Sequence, residues 1–170
     1  MAEIAYADTI PVYVELGAAL FEAQHLEAGL SLLLKVMDEK SNRGREAVAA
    51  PLDTPDAPQT IGQLFREVRL RKYLTNAERT SIQAGVKERN FLIHGYWDEK
   101  HTLALTKPAG RAWLVKDLDR IREVCRHAGR IVDSIIDRYL KESGTSLHEL
   151  SRPLWESWEP GTEPPPDVLH

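Results

Sequence analysis

The longest amphipathic pattern lies near the start of the chain, where residues 12–37 read VYVELGAALFEAQHLEAGLSLLLKVM. Apolar side chains recur there at steps of three and four residues, which places them along one side of an α-helix. They are Leu16, Leu20, Ala23, Leu26, Leu30, Leu33 and Met37. A second run of this kind follows Asp117, which we expect to cap the last long helix, and includes Leu118, Ile121, Cys125, Ala128, Val132, Ile135 and Tyr139. We therefore predict an all-α fold with Cys125 in its core.

Two further helix starts are predicted between these runs. Thr60 is followed by Gln63, and Thr75 by Glu78, at the three-residue spacing of a capping box. The first start opens a short helix over about 61–68, and the second opens a helix that runs from about Ala77 toward Gly95. Together the segments predict an antiparallel four- to five-helix up-and-down bundle over residues 1–142.

Three segments interrupt this pattern. Residues 38–59 hold Gly44, Pro51, Pro55 and Pro58 without a sustained period, so we expect a loop. Polarity alternates on both sides of the sequence Lys107-Pro108-Ala109-Gly110, which predicts a small β-hairpin over 101–115, before the last long helix. Residues 143–170 are rich in proline, and we interpret them as a C-terminal tail.

Composition narrows the classes of function. The chain of 170 residues has one cysteine, no N-terminal basic region followed by an apolar run, and no stretch of eighteen apolar residues. We therefore expect one domain in the cytoplasm, with no membrane contact, no disulfide and no cofactor.

The charge is unevenly distributed along the chain. The net charge is −4, yet residues 66–89 hold seven basic side chains against three acidic ones. Such an excess is typical of a surface that binds phosphate groups, although a solvated helix face has the same composition. We predict contacts with RNA from Arg66, Arg69, Lys72 and Lys87.

Residues 89–96 combine the side chains needed to bind a phosphate and transfer a proton. His94 can exchange a proton near neutral pH, and Arg89 offers a fork of donors to phosphate oxygens. Asn90 can orient the imidazole, and Tyr96 can stack on a base or donate its hydroxyl. On an ideal helix Asn90 and His94 lie about 40° apart and Arg89 and His94 about 140° apart. Arg89 must therefore use its reach, a distorted helix end or a second subunit to join His94.

The segment resembles the signature of the HEPN family of RNA-directed nucleases and toxins. Arg89, Asn90 and His94 match an arginine, a polar residue and a histidine after four intervening positions, and Tyr96 extends the match to an Arg-x4-His-x-Tyr form. The resemblance implies a homodimer, formed through the motif-bearing helices, that cuts RNA without metal. It also implies, for the form with tyrosine, an antitoxin nucleotidyltransferase partner that attaches AMP to the residue equivalent to Tyr96.

Other functions remain open from the residues themselves. The leading alternative is a non-catalytic dimeric module that binds RNA, a nucleotide or a protein in the same cleft, and another is a plain dimerisation protein. Glu22 and His25 have the Glu-x-x-His spacing of metal ligands in carboxylate-bridged bundles, but the chain has no second copy of this motif. We therefore predict no metal site.

Overall fold

The computed structural model describes residues 8–38, 60–70 and 72–144, which form five α-helices and no β-strand. The helices are α1 (Ile10–Asp38), α2 (Ile61–Leu70), α3 (Asn76–His94), α4 (Glu99–Leu105) and α5 (Pro108–Ser143). The all-α prediction is confirmed. The predicted loop, except for Asp38, and nearly all of the predicted tail lie outside the described residues.

The two longest helices, α1 and α5, run side by side in the same direction. His25 in α1 lies 3.8 Å from the carboxylate of Asp133 in α5. Further along both helices, the Tyr139 hydroxyl donates to the Met37 carbonyl at 3.4 Å. The two helices are parallel because the intervening long helix α3 returns the chain to the starting end of the bundle.

Helix α3 runs antiparallel to α5, and ion pairs fix its register. Glu78 near the start of α3 pairs with Arg138 near the end of α5 at 2.8 Å. Glu88 near the end of α3 pairs with Arg120, closer to the start of α5, at 2.9 Å. The three long helices thus form an up-down-up bundle.

Gly85 allows the three long helices to approach closely. A Cβ atom at this position would lie 2.4 Å from the Ala128 Cβ and 2.9 Å from the Leu26 Cδ2. Both distances are too short for a side chain of any size, so the close contact of α3 with α5 and α1 requires glycine here.

The core consists of two apolar clusters, one toward each end of the bundle. The first joins the second half of α1 to α2, the start of α3 and the end of α5, and includes Leu30, Leu33, Phe65, Val68, Ile82, Val132 and Ile135. The second joins the start of α1 to the end of α3 and the start of α5, and consists of Val12, Ala19, Ala23, Leu92, Tyr96, Leu114, Leu118, Ile121 and Cys125. The prediction that Cys125 belongs to the core is confirmed.

Both predicted capping boxes are present. The Thr75 hydroxyl accepts from the Glu78 amide at 3.2 Å, and the Glu78 carboxylate accepts from the Thr75 amide at 2.8 Å. Thr60 and Gln63 make the same reciprocal pair at the start of α2. Each box satisfies amides that have no partner within the helix, which is why these positions begin helices.

The predicted β-hairpin is wrong, because both of its arms are helical. The Asp98 side chain accepts from the His101 amide at 2.9 Å and thereby starts α4, and Pro108 occupies the first turn of α5. Gly110 is needed for packing rather than for a hairpin turn, since a Cβ there would lie 2.1 Å from the Ala104 carbonyl oxygen. Pro108 thus serves a helix start and Gly110 a close contact between two helices, and neither belongs to a hairpin turn.

The predicted start of the last helix at Asp117 is also wrong. Helix α5 begins at Pro108, nine positions earlier, and Asp117 lies inside it. The Asp117 carboxylate accepts from Arg120 at 3.1 Å, which is a contact along the helix surface rather than a cap.

None of the helices in the described part of the chain combines the length with the apolar character that crossing a bilayer requires.

The Glu78–Arg138 pair gives a pH-dependent prediction. The hydrogen bond from Arg138 is the main cause that lowers the pKa of Glu78 from 4.5 to about 2. Since the folded-state pKa is the lower one, the stabilisation is present above pH 4.5 and is lost as the pH falls toward 2. We expect Glu78→Gln, which keeps a capping amide, to lower the free energy of unfolding at pH 7 by about 1 kcal/mol. Urea unfolding should show that the difference in free energy of unfolding between wild type and Glu78→Gln becomes smaller below pH 4.5. A difference that grows there would contradict the stabilising role of the Glu78–Arg138 pair.

Candidate functional site

The candidate site lies at the C-terminal end of α3. The helix ends at His94, and the Gly95 amide donates to the Phe91 carbonyl at 2.8 Å. Gly95 has a φ of −134°, so it ends the helix without the left-handed conformation that would demand glycine. Beyond it, the chain turns through Tyr96 and Trp97 into α4. Residues 89–96 therefore include both the end of α3 and the turn that follows it.

Arg89 faces α1 and is held there. Its guanidinium donates to the Glu27 carboxylate in α1 at 2.5 Å and to the Asn90 side-chain oxygen at 3.2 Å. The Arg89 side chain is 17% exposed. Its positive charge is therefore paired inside this chain, and a phosphate must compete with Glu27 to bind it.

His94 is exposed to solvent, and no hydrogen bond or ion pair involves it among the described residues. On the helix it lies near the same face as Lys87 and Asn90, both within two turns before it. Lys87 is exposed and Asn90 is half-buried. Because Arg89 contacts α1 while His94 faces solvent, one copy of the chain presents these two groups on different sides of α3.

Tyr96 is a core residue. Its side chain is 1% exposed, and its hydroxyl donates to the Leu114 carbonyl at 3.4 Å. Burial raises the pKa of Tyr96 well above its ordinary value of 10. In this conformation neither a nucleobase nor a modifying enzyme can reach the ring or its hydroxyl. Both predicted roles for Tyr96 would require the end of the bundle to open.

Tyr96 belongs to a cluster of five rings. Its centroid lies 4.5 Å from the His101 ring, and His101 lies 5.2 Å from Trp113 in α5. Phe91 and Trp97 pack edge-on against Tyr96 at 5.7 and 5.4 Å. The rings of Tyr96 and His101 are buried, whereas the other three are partly exposed. This packing fixes the turn that follows His94.

Asp98 and His101 form a pair that sequence reasoning missed. The His101 Nδ1 lies 2.5 Å from the Asp98 Oδ1, and His101 is only 5% exposed. The backbone amide of His101 is the main cause that lowers the pKa of Asp98, followed by its imidazole. The three-residue spacing of Asp98 and His101 could have indicated a helix start. It was missed because the prediction placed residues 101–115 in a β-hairpin.

The predicted RNA-binding residues do not form one surface. Arg66, Arg69 and Lys72 are exposed, but they lie on or just after α2, beside the start of α3. The eighteen steps from Asn76 to His94 correspond to about 27 Å along the helix axis. The basic excess predicted beside the motif is therefore divided in space, because these three residues lie near the opposite end of α3 from His94. Lys87 alone of the predicted set lies within two turns of His94.

Glu22 and His25 do not form a ligand set in the described part of the chain. His25 is directed toward Asp133 in α5, and no group of three or more potential ligands occurs among the described residues.

No protein-family model matches the chain, and neither a curated protein nor a solved structure is significantly similar to it.

Proposed function

We propose that this chain is a HEPN-like, metal-independent RNA endonuclease that acts as a homodimer, serving as the toxin of a toxin–antitoxin or defence system. The observation that carries the proposal is the exposed imidazole of His94, at the end of a helix that also holds Arg89 and Asn90. An imidazole that is open to solvent can reach an RNA 2′-hydroxyl and exchange a proton with it without rearrangement of the chain.

The proposed reaction is an internal transfer within RNA. His94 takes the proton of a ribose 2′-hydroxyl, and the 2′-oxygen attacks the adjacent phosphorus. The bond from phosphorus to the 5′-oxygen breaks, and the 5′-oxygen takes up the proton that the His94 imidazole accepted, directly or through water. The products carry a 2′,3′-cyclic phosphate and a 5′-hydroxyl. A guanidinium stabilises the additional negative charge on phosphorus in the transition state, which is the role proposed for Arg89.

A homodimer would bring together an arginine and a histidine that one copy holds apart. In one copy Arg89 points toward α1 while His94 faces outward. A two-fold arrangement that brings the ends of α3 together would place an arginine of one copy near the histidine of the other. The partly exposed Phe91, Ile93 and Trp97 around His94 offer apolar surface for such a cleft.

A second candidate function rests on the Arg89–Glu27 pair. With its charge paired at 2.5 Å, Arg89 also suits a module that binds RNA without cutting it. In that case the exposed face of Lys87, Asn90 and His94 would be a binding surface, and Arg89 would join α1 to α3.

The test is incubation of the purified protein with a labelled, unstructured RNA in EDTA. We expect fragments with 2′,3′-cyclic phosphate ends, and we expect no cleavage of DNA of the same sequence, because DNA has no 2′-hydroxyl. Arg89→Ala should reduce cleavage by at least tenfold. The matched control is Glu27→Ala, which breaks the same ion pair but keeps the guanidinium. Equal losses in the two variants would make Arg89 structural, and salt-sensitive binding without fragments would favour the second candidate.

A further inference from the structure

The first three turns of α1 carry an apolar surface that no described part of the chain covers. Ile10, Tyr13, Val14 and Phe21 are exposed, and Val14 and Phe21 are 64% and 67% exposed. These residues point away from the bundle, because Val12, Ala19 and Ala23 on the opposite side of the helix are buried in the core. We call the surface formed by Ile10, Tyr13, Val14, Gly17 and Phe21 the α1 outer face.

The α1 outer face carries no charge. Glu15 is the only charged residue between Ile10 and Phe21, and it pairs with Arg122 in α5 at 2.8 Å. The next acidic residue, Glu22, lies two turns after Glu15 on the same side of the helix. A surface helix normally has a polar outer side, and a helix that is apolar all round is normally covered on all sides. The composition of α1 is therefore that of a helix with a partner on its outer side.

The spacing of the outer face matches the requirements of helix pairing. Ile10, Val14, Gly17 and Phe21 follow one another at steps of four, three and four residues, which is the seam of a helix that packs against another helix. Gly17, in the middle, has no atom within 4 Å of the position that a Cβ would take. A backbone without a side chain at the centre of an apolar seam permits close approach of a second helix.

We propose that the α1 outer face is the contact between two copies of this chain, with the two α1 helices crossing near Gly17. A neutral surface can meet its own copy without repulsion between like charges, which a two-fold contact requires. The inference rests on the proposed function only in that both need a second copy.

The exposed apolar area of the α1 outer face is large enough for contact with a second copy of the chain. The four large side chains expose on the order of 400 Å² per copy, which is the size of patch that marks an interaction site. Gln24 and Ala28, which are both exposed, continue this row at steps of three and four residues. From Ile10 to Ala28 the row extends about 27 Å along the helix axis. Two copies of these four side chains would together bury about 800 Å², and the exposed Gln24 and Ala28 extend the contact toward the roughly 1,200 Å² at the lower end of stable interfaces.

The α1 outer face also lies at the end of the bundle that carries the candidate site. Val12, Ala19 and Ala23 of α1 share one core cluster with Leu92 and Tyr96. A contact through α1 would therefore join two copies at the end of the bundle that carries the motif, through a surface on the opposite side of α1 from Leu92 and Tyr96.

Light scattering after gel filtration of the full chain tests the inference. We expect a dimer, with twice the 19.2 kDa mass of the chain. Phe21→Glu and Val14→Glu should each raise the dissociation constant at least about 100-fold, because they place a charge in the apolar contact. The control is Leu70→Glu, which changes a leucine of 69% exposure at the other end of the molecule and should leave the dimer intact. A monomeric wild type, or a dimer that survives Phe21→Glu, would overturn the inference.

Cross-linking gives an independent readout. Gly17→Cys should form a disulfide-linked dimer under mild oxidation, because the two copies of residue 17 meet at the crossing. Gly62→Cys, at another exposed helical glycine, should remain monomeric on a denaturing gel. The native Cys125 is buried and should not contribute. Linking of both variants to the same extent would indicate random collision and refute the contact.

The outcomes separate this inference from the proposed function. A dimer that is broken by Ile93→Glu but not by Phe21→Glu would move the interface to the end of α3, and RNA cleavage could still be observed. A dimer through α1 that cuts no RNA would leave the contact standing and remove the nuclease.

Discussion

His94→Ala is expected to reduce RNA cleavage between about 100-fold and 10,000-fold, the range that a single general acid–base group contributes. The reason is that alanine cannot accept the 2′-hydroxyl proton, and His101, the nearest histidine along the described chain, is buried against Asp98. The measurement is the initial rate of appearance of 2′,3′-cyclic ends under single-turnover conditions.

The His94 prediction includes its own test of folding. Because the side chain is exposed and makes no hydrogen bond among the described residues, the variant should unfold at the same temperature as the wild type. His94→Gln, which keeps hydrogen-bonding atoms but cannot titrate, should be as inactive as His94→Ala. Cleavage at the wild-type rate by either variant would rule out the mechanism, and a large loss of stability would show that His94 supports the fold.

Tyr96→Ala is expected to lower the free energy of unfolding by about 3–5 kcal/mol, the usual cost of removing a large buried ring. Tyr96 is 1% exposed and lies at the centre of the ring cluster, with His101, Phe91 and Trp97 all packed against it. The cavity would weaken the turn after His94 and the junction of α3 with α5. Chemical unfolding followed by circular dichroism gives the measurement.

The matched variant for this position is Tyr96→Phe. Its ring can keep the packing, and the hydroxyl makes only a 3.4 Å hydrogen bond to Leu114, so the expected loss is about 1 kcal/mol or less. If Tyr96→Phe abolishes RNA cleavage without changing stability, the hydroxyl takes a direct part in the chemistry. Tyr96 would then be more than a core residue. If Tyr96→Ala is as stable as the wild type, the described packing is wrong.

The helix starts that the sequence predicted best depend on contacts between residues close in the chain. Thr75 and Glu78 satisfy each other's amides within one turn, so their types and spacing are enough to mark the start of α3. The same holds for Thr60 and Gln63 at α2. Apolar periodicity likewise predicted α1 and most of α5, because one buried side of a long helix repeats at 3.6 residues wherever the helix is placed.

The predicted hairpin failed because proline and glycine have more than one use. Pro108 is favoured both in a turn and in the first turn of a helix, and only the helical conformation that follows it decides between them. Gly110 is needed because the end of α4 lies against it, at the Ala104 carbonyl. That contact depends on how two helices pack, which a short stretch of sequence does not specify.

At the candidate site, too, some features follow from the sequence and others depend on how the helices pack. The residue types of Arg89, Asn90 and His94 and the angle between them follow from the sequence and from helix geometry. The contact of Arg89 with Glu27, the burial of Tyr96 and the distance of Arg66, Arg69 and Lys72 from His94 depend on which helices are neighbours. Charges clustered in sequence therefore did not predict charges clustered in space.

By itself, the sequence determined that this protein is built from helices, where two of them begin, and which side chains at the end of α3 the proposed chemistry would use. Only the tertiary structure decided that α1 and α5 are parallel, that Arg89 is paired with α1 while His94 is open to solvent, and that no other described segment covers the outer side of α1. The reason is physical: capping and periodicity act over a few residues along one helix, whereas burial, ion pairing between helices and exposed faces depend on packing between segments far apart in the chain.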